Sequence, residues 1–194
     1  MLLSLIRNLV RPRDDKRAAP RKLHIGGQSA HADWKILDVK PGPHVDYVGH
    51  CSDLSAFGDD SIQEIYASHV VEHLGYRNEL PQALREFHRA LAPGGILRIS
   101  VPDLTVLCEL FTDPALDFGE RFRVMRMMFG GQIDPADFHY VGLNEEFLRD
   151  YLHDAGFADI ARCGHFGLFD DTSTLVFRDR LISLNVTARK PVRA

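Results

Sequence analysis

Ile62-Gln63-Glu64-Ile65-Tyr66-Ala67-Ser68-His69-Val70-Val71-Glu72-His73-Leu74 and, one helix later, Ala92-Pro93-Gly94-Gly95-Ile96-Leu97-Arg98-Ile99-Ser100-Val101 decide the fold. The first run reads as a buried strand over Ile62 to Ser68 that gives way abruptly to titratable groups. Between the two runs, Leu80, Ala83, Leu84, Phe87 and Leu91 fall on one helical face, with Glu79, Gln82, Arg85, Glu86 and Arg89 on the other. Pro93-Gly94-Gly95 turns the chain into a second strand. Strand, helix, turn, strand is a βαβ unit with a parallel sheet, so the fold class is α/β. Open parallel sheets bind ligands beyond the carboxyl ends of their strands. Ser68, His69, Glu72, His73 and Asp103 are expected at that edge.

Upstream, Lys22-Leu23-His24-Ile25 reads as a strand stopped by Gly26-Gly27. Trp34 to Val39 and Val45 to Val48 read as two more strands. Downstream, helices are expected near 104–111 and 119–129, and a third opens at Asn144, a good N-cap ahead of Glu145 and Glu146. Ile160 to Cys163 and Leu181 to Ala188 are the last strands, expected as an antiparallel edge pair.

The chain has 194 residues, 45% of them hydrophobic, with a net charge of −4. That supports one well-cored domain and gives no electrostatic reason for a nucleic-acid partner. The charge is uneven: residues 1–22 hold seven Lys or Arg against Asp14 and Asp15. Residues 1–21 are expected to be a basic amphipathic segment and linker, and 22–194 the domain. The apolar start, residues 1–11, suits peripheral contact with a membrane or a partner protein. It is too short to span a bilayer and lacks the cleavage site of a signal peptide. Cys51, Cys108 and Cys163 form no CxxC pair, which points to a reducing, cytoplasmic setting.

Four groups of residues have chemical meaning. Gly26-Gly27-Gln28 lets a ligand approach the backbone, or is an ordinary turn. It is not GxGxxG, and the next strand-end acid, Asp38, comes too soon for a full crossover helix between them. Asp38 suits ribose hydroxyls. Asp53 suits an acceptor toward an amino group and Leu54 N–H a donor, although an Asp capping a turn is common. His69-Val70-Val71-Glu72-His73 matches HxxEH, the zinc pattern of one peptidase class. That chemistry places both histidines on one helical face, whereas His69 follows an apolar strand, so no metal is expected. His139, in Asp137-Phe138-His139-Tyr140, either lines a pocket or sits in a turn with Phe138 in the core.

Taken in order, these fragments resemble the class I S-adenosylmethionine-dependent methyltransferases. They are Lys22 to Gly26, Trp34 to Asp38, Val45 to Gly49, Ser68 to Leu74, Leu84 to Gly95, Arg98 to Asp103, Leu152 to Phe157 and Ser183 to Pro191. The closest likeness is to small bacterial methyltransferase-domain proteins. The resemblance implies a Rossmann-like, mostly parallel seven-stranded sheet with an antiparallel edge and helices on both faces. It implies S-adenosyl-L-methionine as cofactor. Gly26, Gly27 and Gln28 would then lie against its methionine part, Asp38 on the ribose, Asp53 and Leu54 on the adenine, and Ser68 and His69 beside the sulfonium. Gln28 departs from the family's small-residue GxG. The acceptor would be a small molecule or a glycan-like compound. Candidates for proton removal are His69, Glu72, His73, Asp103 and His139. The alternatives are a catalytically inactive methyltransferase-like scaffold or partner subunit, and a zinc hydrolase.

Overall fold

The computed structural model of the protein describes residues 21–192; the expectations for residues 1–20 lie outside them. Parallel strands β1 (Lys22–Ile25), β2 (Lys35–Asp38), β3 (Tyr47–Val48), β4 (Ile62–Ser68) and β5 (Leu91–Pro102) pair in the order β3-β2-β1-β4-β5. β9 (Ser183–Arg189) follows β5 antiparallel, and β6 (Ala158–Cys163) closes the far edge. A short hairpin, β7 (Val176–Phe177) with β8 (Arg180–Leu181), stands apart from this sheet.

The antiparallel edge pair is as expected. Within that pair β9 lies between β5 and β6, so β6 forms this edge of the sheet and β3 the opposite one. The burial pattern gives the reason: Ser183 to Val186 and Ala188 are buried, whereas β6 is exposed along much of its length.

Alternation along the strands sorts the two faces. Leu23, Ile25, Leu37, Ile65, Ala67, Leu97, Ile99, Leu184 and Val186 meet the apolar faces of α1 (Glu79–Ala90) and α4 (Glu145–Asp154) in the main core. His24, Ile36 and Tyr66 are aligned neighbours on the other face. The nine residues 26–34 between β1 and β2 form no helix. An aromatic layer covers this region instead. The Phe169 ring lies 4.2 Å from His24, 4.8 Å from Tyr66 and 5.5 Å from Trp34, and Phe166 lies 5.5 Å from Tyr66. Tyr66 Oη donates to Asp171 Oδ2 at 2.7 Å, fixing the 164–175 segment over the gap.

α2 (Leu104–Thr112) and α3 (Phe118–Phe129) form a second cluster through Leu107, Leu110, Leu116 and Val124 with Phe177 and Ile182. Asp117 and Glu120 make a reciprocal capping box at the start of α3. Asn144 caps α4, accepting the Phe147 N–H at 2.9 Å. No helix of the described residues is long and apolar enough to cross a membrane.

Candidate functional site

At β1 the chain goes to β2 on one side and β4 lies on the other, which makes the β1/β4 crevice the switch point of the sheet. Gly26, just past β1, has φ +74°, and a Cβ there would lie 2.6 Å from Val70 Cγ2. Glycine is required for the loop to close on the segment after β4. Gln28 is exposed, and its side-chain amide donates to the Gly26 carbonyl at 3.2 Å, so it folds back over its own turn. Asp38 ends the neighbouring β2, with Oδ1 accepting the Lys40 N–H at 2.7 Å. Ser68 ends β4, and its hydroxyl oxygen is buried with no hydrogen-bond partner.

Asp53 is exposed and caps a turn, accepting the Ser55 N–H at 3.0 Å; the Ser55 hydroxyl first, and this N–H with it, hold its carboxyl below the usual range. The expectation for Leu54 is corrected. Its side chain is wholly buried and its N–H already donates to Glu86 Oε2 at 2.9 Å. Arg89 on the same helix binds Glu86 and the carbonyls of Leu54 and Phe57, which ties the 50–58 loop to α1.

His69 is also corrected as a free base. It adopts φ +53°, and its N–H donates to the Ser100 carbonyl. Its ring lies with Nε2 3.0 Å from Ser183 Oγ and Nδ1 3.2 Å from Glu72 Oε1. Ser183 donates its own proton to the Thr172 carbonyl at 2.8 Å, so it accepts from His69 Nε2–H. Nδ1 then faces the Glu72 carboxyl group. Both ring nitrogens are committed to protein groups. Nothing in the sequence pairs Ser183 or Thr172 with His69; strand register alone brings them together.

Asp103 is corrected as a candidate for proton removal. It is 1% exposed, caps α2 by accepting the Thr105 and Val106 N–H groups, and pairs with Arg162 at 2.9 Å. It is a structural acid.

Glu72, His73 and His139 are brought together. Glu72 and His73 lie in a 3₁₀ turn, Val71–His73, directly after β4. The Glu72 carbonyl accepts the Tyr140 N–H at 2.8 Å, and His139 N–H donates to Phe129 at the end of α3. These bonds hold the 137–141 strap over the turn. The His73 and His139 rings meet edge to face at 4.7 Å. His73 Nδ1 lies 3.1 Å from the Phe138 carbonyl, and His139 Nδ1 lies 3.3 Å from the Met128 carbonyl. A carbonyl only accepts, so each Nδ1 donates there and each ring is held with its Nε2 directed away from these carbonyls. Burial holds the His139 pKa below its ordinary value, with Glu72 opposing. Glu72 is 1% exposed, and neither carboxylate oxygen accepts a well-formed hydrogen bond. Burial pushes the Glu72 pKa up, while the His69 contact, with His73 and His139 behind it, brings it below the ordinary carboxylate value.

A family model described as a methyltransferase domain matches residues 13–162. The chain belongs to the methyltransferase-domain family. Among curated proteins no relative matches. Solved structures share the fold of this methyltransferase-domain chain at low identity. A SAM-dependent methyltransferase from Archaeoglobus fulgidus is 16% identical with a TM-score of 0.55, over 89% of this chain and 87% of that one. The 1,6-didemethyltoxoflavin-N1-methyltransferase of Burkholderia thailandensis, solved with its substrate and S-adenosylhomocysteine, is 18% identical with a TM-score of 0.53, over 89% and 72%. A possible exported protein from Bordetella parapertussis is 16% identical with a TM-score of 0.54, and the match covers 89% of this chain but only 62% of that one. The mostly parallel seven-stranded sheet with its antiparallel edge is as expected from the class I methyltransferase resemblance.

Proposed function

We propose that this protein is an S-adenosylmethionine-dependent methyltransferase acting on a small-molecule or glycan-like acceptor. The observation that carries the reading is the β2-β1-β4 edge. In strand order, Asp38 at the end of β2, Gly26-Gly27 after β1 and Ser68 at the end of β4 follow one another along this edge, and the Ser68 hydroxyl is buried without a hydrogen-bond partner. That donor set fits a ligand with ribose hydroxyls at one end and an amino-acid group at the other. The B. thailandensis neighbour, with S-adenosylhomocysteine bound in the same fold, supports it. When bound, the cofactor supplies a sulfonium-activated methyl group.

This chain's residues bind, orient and exclude water. Asp38 accepts from the ribose hydroxyls. Gly26 and Gly27 admit the methionine portion to the backbone, with Gln28 turned away from it, and Ser68 faces the reacting end. The Glu72, His73 and His139 cluster, one turn beyond Ser68, receives the acceptor. The strap that carries His139 also reaches the far side of the edge, where Asp134 pairs with Lys40 at 2.6 Å. The α2–α3 insertion and its strap thus roof the crevice and select the acceptor.

Titration calorimetry with S-adenosylhomocysteine tests the reading, and saturable binding is expected. No heat and no thermal shift at millimolar ligand would favour a second reading, a non-catalytic scaffold of the same fold. The helix-free β1–β2 connection is what favours that alternative, because fold alone does not fix activity.

A further inference from the structure

The buried carboxylate of Glu72 is chemically incomplete. Its side chain is 1% exposed and has no hydrogen-bond partner beyond the His69 contact, and a carboxyl group withdrawn from water needs strong donors or a cation around it. The His69 Nδ1 contact at 3.2 Å reaches only Oε1. On the side toward the strap, donor atoms of Glu72, His73 and His139 lie within 4.8 Å of one another. Both histidines have their Nδ1–H tied to backbone carbonyls, at Phe138 and Met128. Ligand histidines are held in this way, since fixing the tautomer aims the Nε2 lone pair.

We infer that Glu72, His73 and His139 form a binding site for a divalent transition-metal cation. Two imidazole nitrogens and one carboxylate suit Zn²⁺, Fe²⁺ or Mn²⁺, with open positions for oxygen ligands. Donors sharing one ion at 2.0–2.2 Å stand roughly 3.4 Å apart, so binding draws the three side chains together by about 1 Å. The His73 and His139 side chains, both only partly buried, have room for that adjustment. This donor set differs from the peptidase reading of HxxEH. His69 is turned away to Ser183, and the third ligand comes from a strap far downstream that no local pattern announces. The open positions face the crevice that receives the acceptor, so an acceptor oxygen is the natural further ligand. Only this last point rests on the methyltransferase reading; the cation site stands on the three side chains.

The test uses the full chain, stripped by chelator and dialysed. Calorimetric titration with Zn²⁺ and Mn²⁺, and Co²⁺ titration followed by visible absorption, should each show one saturable site per chain. The melting temperature should rise with metal. His73→Ala and His139→Ala should each weaken Co²⁺ binding by at least about tenfold. Circular dichroism and melting of the metal-free variants check that they fold. His153→Ala, at the carboxyl end of α4, should leave binding unchanged. Absence of saturable binding in the wild-type chain at millimolar metal overturns the proposal, and His69 alone then neutralises Glu72. Metal binding that persists at full affinity in folded His73→Ala and His139→Ala also overturns it. S-adenosylhomocysteine titration of the same metal-free sample reports separately on the cofactor reading. Cofactor binding without metal binding defeats only the cation site, and the reverse defeats only the methyltransferase reading.

Discussion

At His69 the backbone φ of +53° costs roughly 1–2 kcal/mol relative to an ordinary conformation, and the imidazole it positions bridges Ser183 and Glu72. Its work is to support a buried acid. His69→Ala is therefore expected to lower stability by about 1–3 kcal/mol, because it leaves Glu72 with one fewer partner. Adding Glu72→Gln should recover part of that loss, since the amide carries no charge to bury. Chemical denaturation of the single and double variants measures both effects; a His69→Ala protein of wild-type stability would remove the supporting role. Asp38 is the residue proposed for the ligand instead. Asp38→Ala is expected to weaken S-adenosylhomocysteine binding by about 1.5–3 kcal/mol with the fold intact, as read by calorimetry and circular dichroism. Unchanged affinity would take the ribose role away from it. Leu54 and Asp103 show the reverse lesson. Both carry groups able to bind a ligand, and both spend them inside the protein, on Glu86 and on the α2 cap with Arg162.

At the scale of elements, the β1–β2 connection exchanges a helix for rings. His24 is central to that layer: 5% exposed, against Phe169 and Tyr66. Burial lowers its pKa to about 4, with Asp171 opposing and His31 adding to the effect. Its folded pKa lies below its unfolded value of ~6.5. The contribution is fully present above pH ~6.5 and is lost as the pH falls toward 4, where the unfolded chain gains a proton that the folded chain refuses. The loss amounts to up to about 3 kcal/mol at full protonation. His24→Phe should keep the stacking and remove that slope. Melting temperatures of the two proteins between pH 7 and 4 should therefore diverge, the wild type falling faster. Parallel curves would mean that His24 is not buried in its neutral form.

At the scale of the whole molecule, the larger apolar core joins the sheet to the helices packed on its Leu23–Ile65–Val186 face, while α2 and α3 have their own smaller core. Leu184 lies at 0% exposure in β9, paired with Val101 in the middle of the sheet. Leu184→Ala is expected to cost about 2–5 kcal/mol. Phe118 begins α3 at 84% exposure, stacked only on Phe122, and Phe118→Ser should change stability by no more than about 0.5 kcal/mol. Urea denaturation distinguishes the two. A large loss at Phe118 would show that α3 is part of the main cooperative unit.

The sequence by itself determined the α/β class, the parallel core and most element boundaries. Those features are written in local periodicity and turn chemistry: the apolar run to Ser68, the α1 face, the Gly26 turn, the Asn144 cap; the expected turn at Gly94 is instead part of β5, which starts at Leu91. The early arrival of Asp38 after Gly26 also announced that no full helix joins β1 to β2. The tertiary structure alone decided that β9 lies inside the sheet, because either neighbour of a buried antiparallel strand satisfies the same alternation. It alone decided which titratable groups at the carboxyl edge are spent and which converge. His69, Glu72 and His73 are neighbours in sequence, yet a left-handed residue sends the first imidazole to Ser183, while His139 arrives from a strap 66 residues beyond His73. Partners so distant in the chain are chosen by register and loop hydrogen bonds, which no short stretch of sequence encodes.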